Sequence, residues 1–258
     1  MDKTKKIVVM SGKGGVGKTT VAGAIALILS TEEKKTVGAL DVDIHGPNLP
    51  VILGLRGARM IAQKQGDKEE IYPVELKPNL KLASMGFLLP AEEAPVIWRG
   101  PLKAQMIKSF IHDIKWGELD YLVADLPPGT GDEALSIVQE LGGVDIAVIV
   151  TTPQEVSLVD ARKAIMFAKK MDIPRVGIVE NMSGLICPHC KKEIEIFKSG
   201  GGRKTAEQMR VAFLGSVPFD PSIVHAGDEG KHIVLEEKEK PAVEALYRVV
   251  DRIKEVMG

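Results

Sequence analysis

Cysteine and aromatic side chains are scarce in this chain, whose 258 residues include two cysteines and 4% aromatic residues. Two cysteines that lie three positions apart, Cys187 and Cys190, are not the disulfide framework of a small secreted protein. Long apolar runs are missing as well, because none reaches the roughly 18 residues that predict a transmembrane helix. These absences exclude a disulfide scaffold and an integral membrane protein.

A charge excess of either sign is also missing, since 34 Lys and Arg residues face 35 Asp and Glu residues. A net charge of −1 gives no electrostatic reason to expect nucleic acid or an anionic membrane as a partner. Residues 1–6 lead directly into an apolar segment that carries a glycine loop, which is unlike a cleavable signal peptide. We therefore expect a cytoplasmic protein without nucleic acid or membrane partners.

Short apolar runs alternate with helical patterns along the chain. The runs are residues 7–10, 36–41, 121–125, 145–151, 175–181 and 213–218. Near-continuous apolar runs are typical of strands covered on both faces, and intervening helices favour parallel pairing with right-handed crossovers. We predict a single α/β domain over residues 1–258, with a mostly parallel sheet flanked by helices on both faces. Ligands should then bind at the carboxyl ends of the strands.

A glycine-rich loop follows the first run and precedes a helical segment. Residues 12–19 fit the pattern G-x-x-x-x-G-K-[ST] of a phosphate-binding loop, or P-loop. Glycines let backbone N–H groups turn inward around phosphate, and the helix that begins near Lys18 directs its positive end there. Lys18 should reach the β- and γ-phosphates, and Thr19 should bind Mg²⁺. The predicted nucleotide-binding residues of the loop are Gly12, Lys13, Gly14, Gly15, Val16, Gly17, Lys18, Thr19 and Thr20.

Carboxylates close two of the other predicted strands. Asp125 ends one strand before the turn Pro-Pro-Gly-Thr-Gly-Asp, which is typical of a Walker B aspartate that holds Mg²⁺. Asp41 and Asp43 end another strand, and alternation places both on one side of an extended chain. Asp43 is the candidate for orienting or deprotonating the attacking water and for a share of the Mg²⁺. The alternative for these aspartates is a capping or solvated role at strand ends.

Cys187-Pro188-His189-Cys190 is a second candidate centre, within a loop inserted at about residues 183–202 that we call the cysteine loop. A C-x-x-C pair can bind Zn²⁺, bind an iron–sulfur cluster or exchange disulfides. Metal sites of this kind usually take four ligands, so Cys187 and Cys190 require a second chain to close a Cys₄ site. A zinc site completed by His189 within one chain is the alternative. Residues 193–197 alternate like a hairpin arm, and residues 198–202 are predicted to form a flexible return.

Two further segments have clear patterns. Residues 55–81 are mostly polar and are interrupted by glycines and prolines, which predicts a solvated hairpin or a mobile insertion without a functional site. Near the C-terminus, apolar residues spaced by three and four predict an amphipathic helix. They are Val243, Leu246, Val250, Ile253 and Met257. Charges of both signs on its polar face favour packing on the sheet over binding to a membrane.

The second lysine of the P-loop, Lys13, resembles the deviant Walker A motif of the MinD, ParA and nitrogenase iron protein class. This resemblance implies a nucleotide-dependent homodimer in which Lys13 reaches the partner's nucleotide, so Lys13, Lys18 and Asp43 are the candidate catalytic residues. It also assigns adenine recognition to Asn181, whose amide can both donate and accept a hydrogen bond. Pro218, at the end of the last strand, is a candidate wall of the base pocket.

Taken together, the motifs resemble the Mrp–Nbp family of iron–sulfur cluster carrier ATPases. The resemblance extends to residues 41–50, residues 98–101 and the Asn-Met-Ser segment that leads to the cysteine pair. It implies an ATP-hydrolysing homodimer that assembles a 4Fe-4S cluster between the cysteine pairs of two subunits and transfers it to apo-proteins. Zn²⁺ at the same cysteines stays open, and with it a MinD/ParA-type nucleotide switch that has a structural zinc clasp.

Overall fold

The computed structural model describes residues 4–32, 35–65, 68–77, 79–88, 100–187, 190, 192–194, 197 and 199–258. The strands are β1 (Lys5–Met10), β2 (Val37–Asp41), β3 (Ile61–Gln65), β4 (Lys68–Tyr72), β5 (Val74–Lys77), β6 (Leu80–Ser84), β7 (Tyr121–Asp125), β8 (Ile146–Thr151), β9 (Val176–Ile186), β10 (Glu193–Ile194) and β11 (Ala212–Phe219). The helices are α1 (Lys18–Glu32), α2 (Leu49–Ile52), α3 (Gly100–Asp113), α4 (Asp132–Leu141), α5 (Glu155–Lys170), α6 (Gly201–Met209), α7 (Pro221–Asp228), α8 (Ile233–Glu236) and α9 (Pro241–Met257), with a 3-10 turn at Met85–Leu88.

The main sheet has the order β10-β9-β8-β1-β7-β2-β6-β5, and β11 also pairs with β9. β1 lies in the middle, parallel to β7 on one side and to β8 on the other. β5 and β10 are antiparallel to their neighbours, whereas the pairings between the other strands of this sheet are parallel. The predicted mostly parallel sheet is therefore confirmed.

Alternation along β1 shows how the sheet is covered on both faces. Ile7 and Val9 belong to an apolar core that includes α1 and α9, while Val8 and Met10 belong to the core that includes α3, α4 and α5. All four side chains are fully buried. Because both faces are covered, the polar groups of the chain concentrate where the strands end and loops begin.

The prediction for residues 55–81 is correct in one half and wrong in the other. β3 and β4 form an antiparallel hairpin, and residues 61–64 are exposed as predicted. β5 and β6, however, join the main sheet, where Leu80 and Leu82 are fully buried beside β2. The lysine between them misled the sequence interpretation, because the Nζ of Lys81 reaches a backbone acceptor, the carbonyl oxygen of Trp116, at 2.7 Å.

The amphipathic helix predicted near the C-terminus is confirmed as α9. Its predicted apolar residues are each at most 5% exposed, and they pack on β11 and α1. Among the helices of the described residues, none has the length and apolar character needed to cross a membrane.

Candidate nucleotide and cysteine sites

The P-loop connects β1 to α1, and α1 begins at Lys18 as the pattern predicted. Gly15 and Gly17 have φ angles of +79° and +83°, a left-handed conformation that strongly favours glycine. Gly12 is needed for a different reason. A Cβ atom at Gly12 would lie 2.3 Å from the backbone carbonyl of Asp160, so the loop packs directly on α5.

Lys18 is buried and bound to the carboxylates at the strand ends. Its Nζ lies 2.6 Å from Oδ1 of Asp125 and 3.9 Å from Oδ2 of Asp43. Burial raises the pKa of Asp125, and the nearby charge of Lys18 opposes that shift. The structure thus brings together the lysine and the two aspartates that the sequence had singled out in three separate segments.

The second oxygen of Asp125 has an open hydrogen-bonding capacity. Oδ2 is buried and has no hydrogen-bond partner among the described residues. Buried carboxylate oxygens are normally satisfied, so such an atom needs an explanation. A hard cation such as Mg²⁺, which prefers oxygen ligands, fits this position beside Thr19.

Asp41 and Asp43 have different surroundings although they share one side of the chain. Asp41 is fully buried, and its Oδ2 accepts hydrogen bonds from Ser84 Oγ at 2.9 Å and the Leu49 backbone at 3.2 Å. Burial raises the pKa of Asp41 to about 8, and the charge of Asp125 adds to the effect. The hydrogen bonds of the Asp41 carboxylate therefore connect β2 to β6 and α2, whereas the Asp43 carboxylate faces Lys18.

Asp43 is held by the loop that follows it. Its Oδ1 accepts hydrogen bonds from the backbone N–H groups of His45 and Gly46, each at 3.2 Å. Its Oδ2 is the oxygen that faces Lys18. The loop thus fixes one oxygen and directs the other toward the cleft above the P-loop.

A cleft of about 660 Å³ opens above the P-loop and extends to α7 and α8. A smaller adjoining pocket is lined by Gly17 of the P-loop and by Asn181, Met182, Pro218 and Phe219. The Nδ2 of Asn181 donates to the carbonyl oxygen of Val16 at 2.9 Å. Asn181 and Pro218 therefore lie together beside the P-loop, in the smaller pocket.

β9 runs past Asn181 to Ile186, so the strand predicted from the apolar run 175–181 is five residues too short at its end. The pairing with β11 has one register shift between Phe213 and Gly215 and a second between Asn181 and Leu185, with Pro218 opposite the second. Proline has no N–H to donate to the ladder, and Met182 and Gly184 adopt φ angles of +57° and +75° there. The strand bends at this point and continues toward the cysteines.

The cysteine loop begins within β9, because that strand extends to Ile186 and so includes residues 183–186. The backbone N–H of Cys187 donates to the carbonyl oxygen of Lys192 at 2.9 Å, and β10 pairs with the end of β9. Cys187 is half-buried and Cys190 is exposed, and no disulfide joins them. Residues 188–189, 191, 195–196 and 198 lie outside the described residues, and so does the proposed alternative ligand His189.

One chain does not assemble a complete metal site within the described residues, where no group of three or more His, Cys, Asp or Glu side chains is placed to hold a metal. The predicted flexible return at residues 198–202 is wrong for its last residues, because α6 begins at Gly201. The contact with Leu158 explains the glycine there, since a Cβ at Gly201 would lie 2.6 Å from that side chain.

Sequence reasoning missed a polar cluster that links the loops near the cleft. The Nζ of Lys103 donates to Oε1 of Glu133 at 2.7 Å and lies 3.0 Å from Nε2 of His45. These residues come from α3, α4 and the loop after β2. Their separation along the chain gave no signal, because only the fold brings them together.

The model of NUBPL iron-transfer P-loop NTPases, within the ParA group, matches residues 2–254. The chain belongs to this family. This NUBPL-family chain is 49% identical over 256 residues to an "Iron-sulfur cluster carrier protein" of Methanocaldococcus jannaschii, covering 99% of the chain and 86% of that relative. Membership in this family confirms the resemblance that the motifs indicated.

Solved structures give the same fold. A nucleotide-binding protein from Archaeoglobus fulgidus, in complex with ADP, is 36% identical, with a TM-score of 0.78 over 94% of this chain and 92% of its own. The septum site-determining protein MinD from Pyrococcus horikoshii, complexed with Mg-ADP, is 25% identical, with a TM-score of 0.70 over 99% and 98% of the two chains. The NUBPL-family chain therefore has the α/β fold of P-loop NTPases.

Proposed function

We propose that this NUBPL-family protein is an ATP-hydrolysing iron–sulfur cluster carrier that assembles a 4Fe-4S cluster between two copies of itself and transfers it to apo-proteins. One observation carries the proposal. Asn181, which contacts the P-loop, lies on β9, and Cys187, which begins the cysteine pair, directly follows the last residue of that strand, six residues beyond Asn181. A nucleotide site and a two-ligand metal site are thus adjacent in one chain.

ATP binding is supported by the P-loop and its lysine. The backbone N–H groups of residues 14–19 and the start of α1 suit a triphosphate, and Lys18 would exchange Asp125 for the β- and γ-phosphates. The adenine ring would occupy the pocket of Asn181 and Pro218, where an amide and apolar walls are available.

Hydrolysis is supported by Asp43 and by a residue from the partner. Asp43 directs Oδ2 toward Lys18, which suits an oxygen that orients the attacking water. Lys13 forms no ion pair with any residue in the described part of its own chain, so it is available to a second subunit. A lysine from the partner would supply the positive charge that phosphoryl transfer requires.

Mg²⁺ fits the same site. Thr19, Asp43 and Asp125 would hold it, since Asp125 Oδ2 is buried without a hydrogen-bond partner among the described residues. When bound, the ion would neutralise charge on the β- and γ-phosphates.

The cluster is the cargo of this cycle. Cys187 and Cys190 supply two thiolates per chain, and four thiolates are the usual ligand set of a 4Fe-4S cluster. Two copies related by a two-fold axis would supply all four. A site at the surface of each chain, with Cys190 exposed, also suits release to an apo-protein.

Anaerobic reconstitution with iron and sulfide tests the proposal. The wild-type protein should retain about four iron and four sulfide ions per dimer, and the variant Cys187→Ser/Cys190→Ser should retain almost none. The loaded wild-type protein should then restore the activity of an apo-enzyme that needs a 4Fe-4S cluster. The matched control for loading is Lys18→Ala/Asp125→Asn, which removes the nucleotide lysine together with its buried counter-charge and leaves both thiols.

A different metal content would contradict the proposal. Roughly one Zn²⁺ per dimer without labile sulfide would make the cysteine pair a structural clasp. Loss of nucleotide binding in the cysteine variant would also contradict it, since the two sites would then not be separate centres.

A further inference from the structure

Glu180 is a fully buried carboxylate in the middle of β9. Its Oε1 accepts hydrogen bonds from Ser183 Oγ at 2.6 Å and from the backbone N–H of Gly200 at 3.1 Å. Its Oε2 accepts a hydrogen bond from the backbone N–H of Gly202 at 2.5 Å. Ser183 begins the cysteine loop, and Gly200 and Gly202 end it. One carboxylate therefore holds both ends of the loop that carries the cysteines.

The start of α6 is shaped to receive this carboxylate. Gly200 has a left-handed φ of +79° at the N-cap, which turns its N–H group and that of Gly202 toward Glu180. A Cβ at Gly202 would lie 2.9 Å from the Cβ of Glu180, so only glycine permits the approach. The positive end of a helix and several N–H donors stabilise a buried negative charge. This environment explains a charged residue inside an otherwise apolar strand.

The residue next to Glu180 contacts the P-loop. Asn181 donates to the carbonyl oxygen of Val16, and a Cβ at Gly17 would lie 2.2 Å from the Asn181 amide nitrogen. Successive side chains of a strand point to opposite sides, so β9 directs Asn181 to the P-loop and Glu180 to α6. The peptide that joins them pairs with β8 and β11 on its two sides, which makes it a rigid connection.

Strain follows immediately after this connection. Met182 is not glycine but has a φ of +57°, and it lines the small pocket beside the P-loop. Such a conformation costs about 1–3 kcal/mol and persists only where the surroundings impose it. Neighbouring groups therefore hold the segment between the P-loop contact and the cysteines in a strained backbone conformation, and a ligand in the pocket that Met182 lines would act on that segment directly.

We propose that Glu180 is a positioning residue that couples occupancy of the P-loop to the geometry of the cysteine loop. A nucleotide that contacts Val16, Gly17 and Asn181 displaces β9 at this point, and the carboxylate transmits the displacement to both ends of the loop. Its biological meaning rests on the proposed function, as the link between the ATP cycle and cluster release. The coupling is reciprocal for equilibrium binding, so a ligand bound at the cysteines changes nucleotide affinity by the same factor by which the nucleotide changes the affinity for that ligand.

The rate at which a disulfide reagent such as DTNB reacts with the cysteines of the cluster-free, reduced protein measures the coupling. In the wild-type protein, a non-hydrolysable ATP analogue with Mg²⁺ should change that rate by about fivefold or more. Glu180→Gln should reduce the change to below about twofold, because the amide NH₂ that replaces one oxygen faces an N–H donor. Nucleotide affinity, measured with a fluorescent analogue, should stay within about threefold of wild type, a difference under 0.7 kcal/mol by the relation of about 1.4 kcal/mol per tenfold.

Glu207→Gln is the matched control. It makes the same Glu-to-Gln change at an exposed position of α6, away from the hydrogen bonds of Glu180. It should keep the full nucleotide dependence. Ser183→Ala removes one of the three hydrogen bonds and should give an intermediate dependence, which preserves the test if Glu180→Gln does not fold. Full nucleotide dependence in both Glu180→Gln and Ser183→Ala, or none in the wild-type protein, would overturn the proposal.

The two proposals fail in different ways. Failure to retain iron and sulfide with an intact nucleotide effect on the thiols would remove the cluster proposal and leave the coupling. Normal cluster loading and transfer with identical thiol kinetics in wild type and Glu180→Gln would remove the coupling and leave the carrier function.

Discussion

Lys18 has two successive partners in the cycle that the site supports. Its Nζ is bound to Asp125 and faces Asp43, both of them buried. Removal of the partner of a buried charge is strongly destabilising, so Lys18 contributes to folding as well as to the proposed phosphate binding. Mutations at Lys18 therefore change folding and binding together.

Lys18→Ala should lower the stability of the nucleotide-free protein by about 3–5 kcal/mol, because it leaves Asp125 buried without its counter-charge. The double variant Lys18→Ala/Asp125→Asn should recover most of that loss. Both variants should bind ATP at least about 100-fold more weakly, since hydrogen bonds to charged groups contribute about 1.5–3 kcal/mol each. Urea unfolding and titration with a fluorescent ATP analogue measure the two effects, and equal stability of the single and double variants would contradict the assignment.

The glycines of the P-loop differ in the space around them. Gly12→Ala should destabilise the nucleotide-free protein by roughly 1–3 kcal/mol, because its Cβ would overlap the backbone of α5. Gly14→Ala is the control, since no atom lies within 4 Å of the Cβ it would add. Its melting temperature without nucleotide should stay close to wild type. A similar loss in both variants would show that backbone conformation, and not contact with α5, requires glycine at position 12.

The helices and strands differ in how much their formation depends on distant parts of the chain. The P-loop, α1 and α9 were predicted within a few residues, because spacing and periodicity are local properties of the sequence. β6 was missed because Lys81 breaks its apolar pattern and its stability depends on pairing with β2, which is 43 residues away at Leu80 and Val37. Long-range pairing overrides a weak local pattern of this kind.

The candidate site shows the same division. The positions of Lys18 at the start of α1, of Asp43 just after β2 and of Asp125 at the end of β7 follow from motif spacing and a parallel sheet. The clamp of Glu180 on Gly200 and Gly202 could not be predicted, because it depends on how closely α6 approaches β9. A charged residue inside the apolar run at 175–181 was its one visible signal.

Substitutions in α9 measure how much the packing of one helix on the sheet contributes to stability. Ile253→Ala should destabilise the protein by about 2–5 kcal/mol, because Ile253 is fully buried between α9, β11 and α1. Arg252→Ala, one position earlier on the exposed face, should cost less than about 1 kcal/mol, since it loses only a surface ion pair with Glu255. Denaturant unfolding distinguishes them. Equal effects would mean that α9 does not pack on the sheet as described.

Mixing two variants, each without ATP hydrolysis, tests whether one subunit of the proposed dimer completes the site of the other. Lys13→Ala and Asp43→Asn should each lose ATP hydrolysis, the first through the partner's site and the second through its own. A mixture should regain about a quarter of the wild-type rate, because about half of the dimers are mixed and each has one complete site of two in a two-fold arrangement. Steady-state phosphate release measures this recovery. A mixture as inactive as its components would show that Lys13 acts within its own chain.

The central position of β1 also has a consequence for synthesis. The strand that carries the P-loop is made first, but its neighbours β7 and β8 end at residues 125 and 151. At about 5–20 residues per second, a ribosome needs roughly 7–30 s to add that stretch, during which an apolar strand has no sheet to join. The nascent chain therefore exposes residues 7–10, which are fully buried in the folded protein, until β7 and β8 have been made, and only then does the P-loop gain both of its flanking strands.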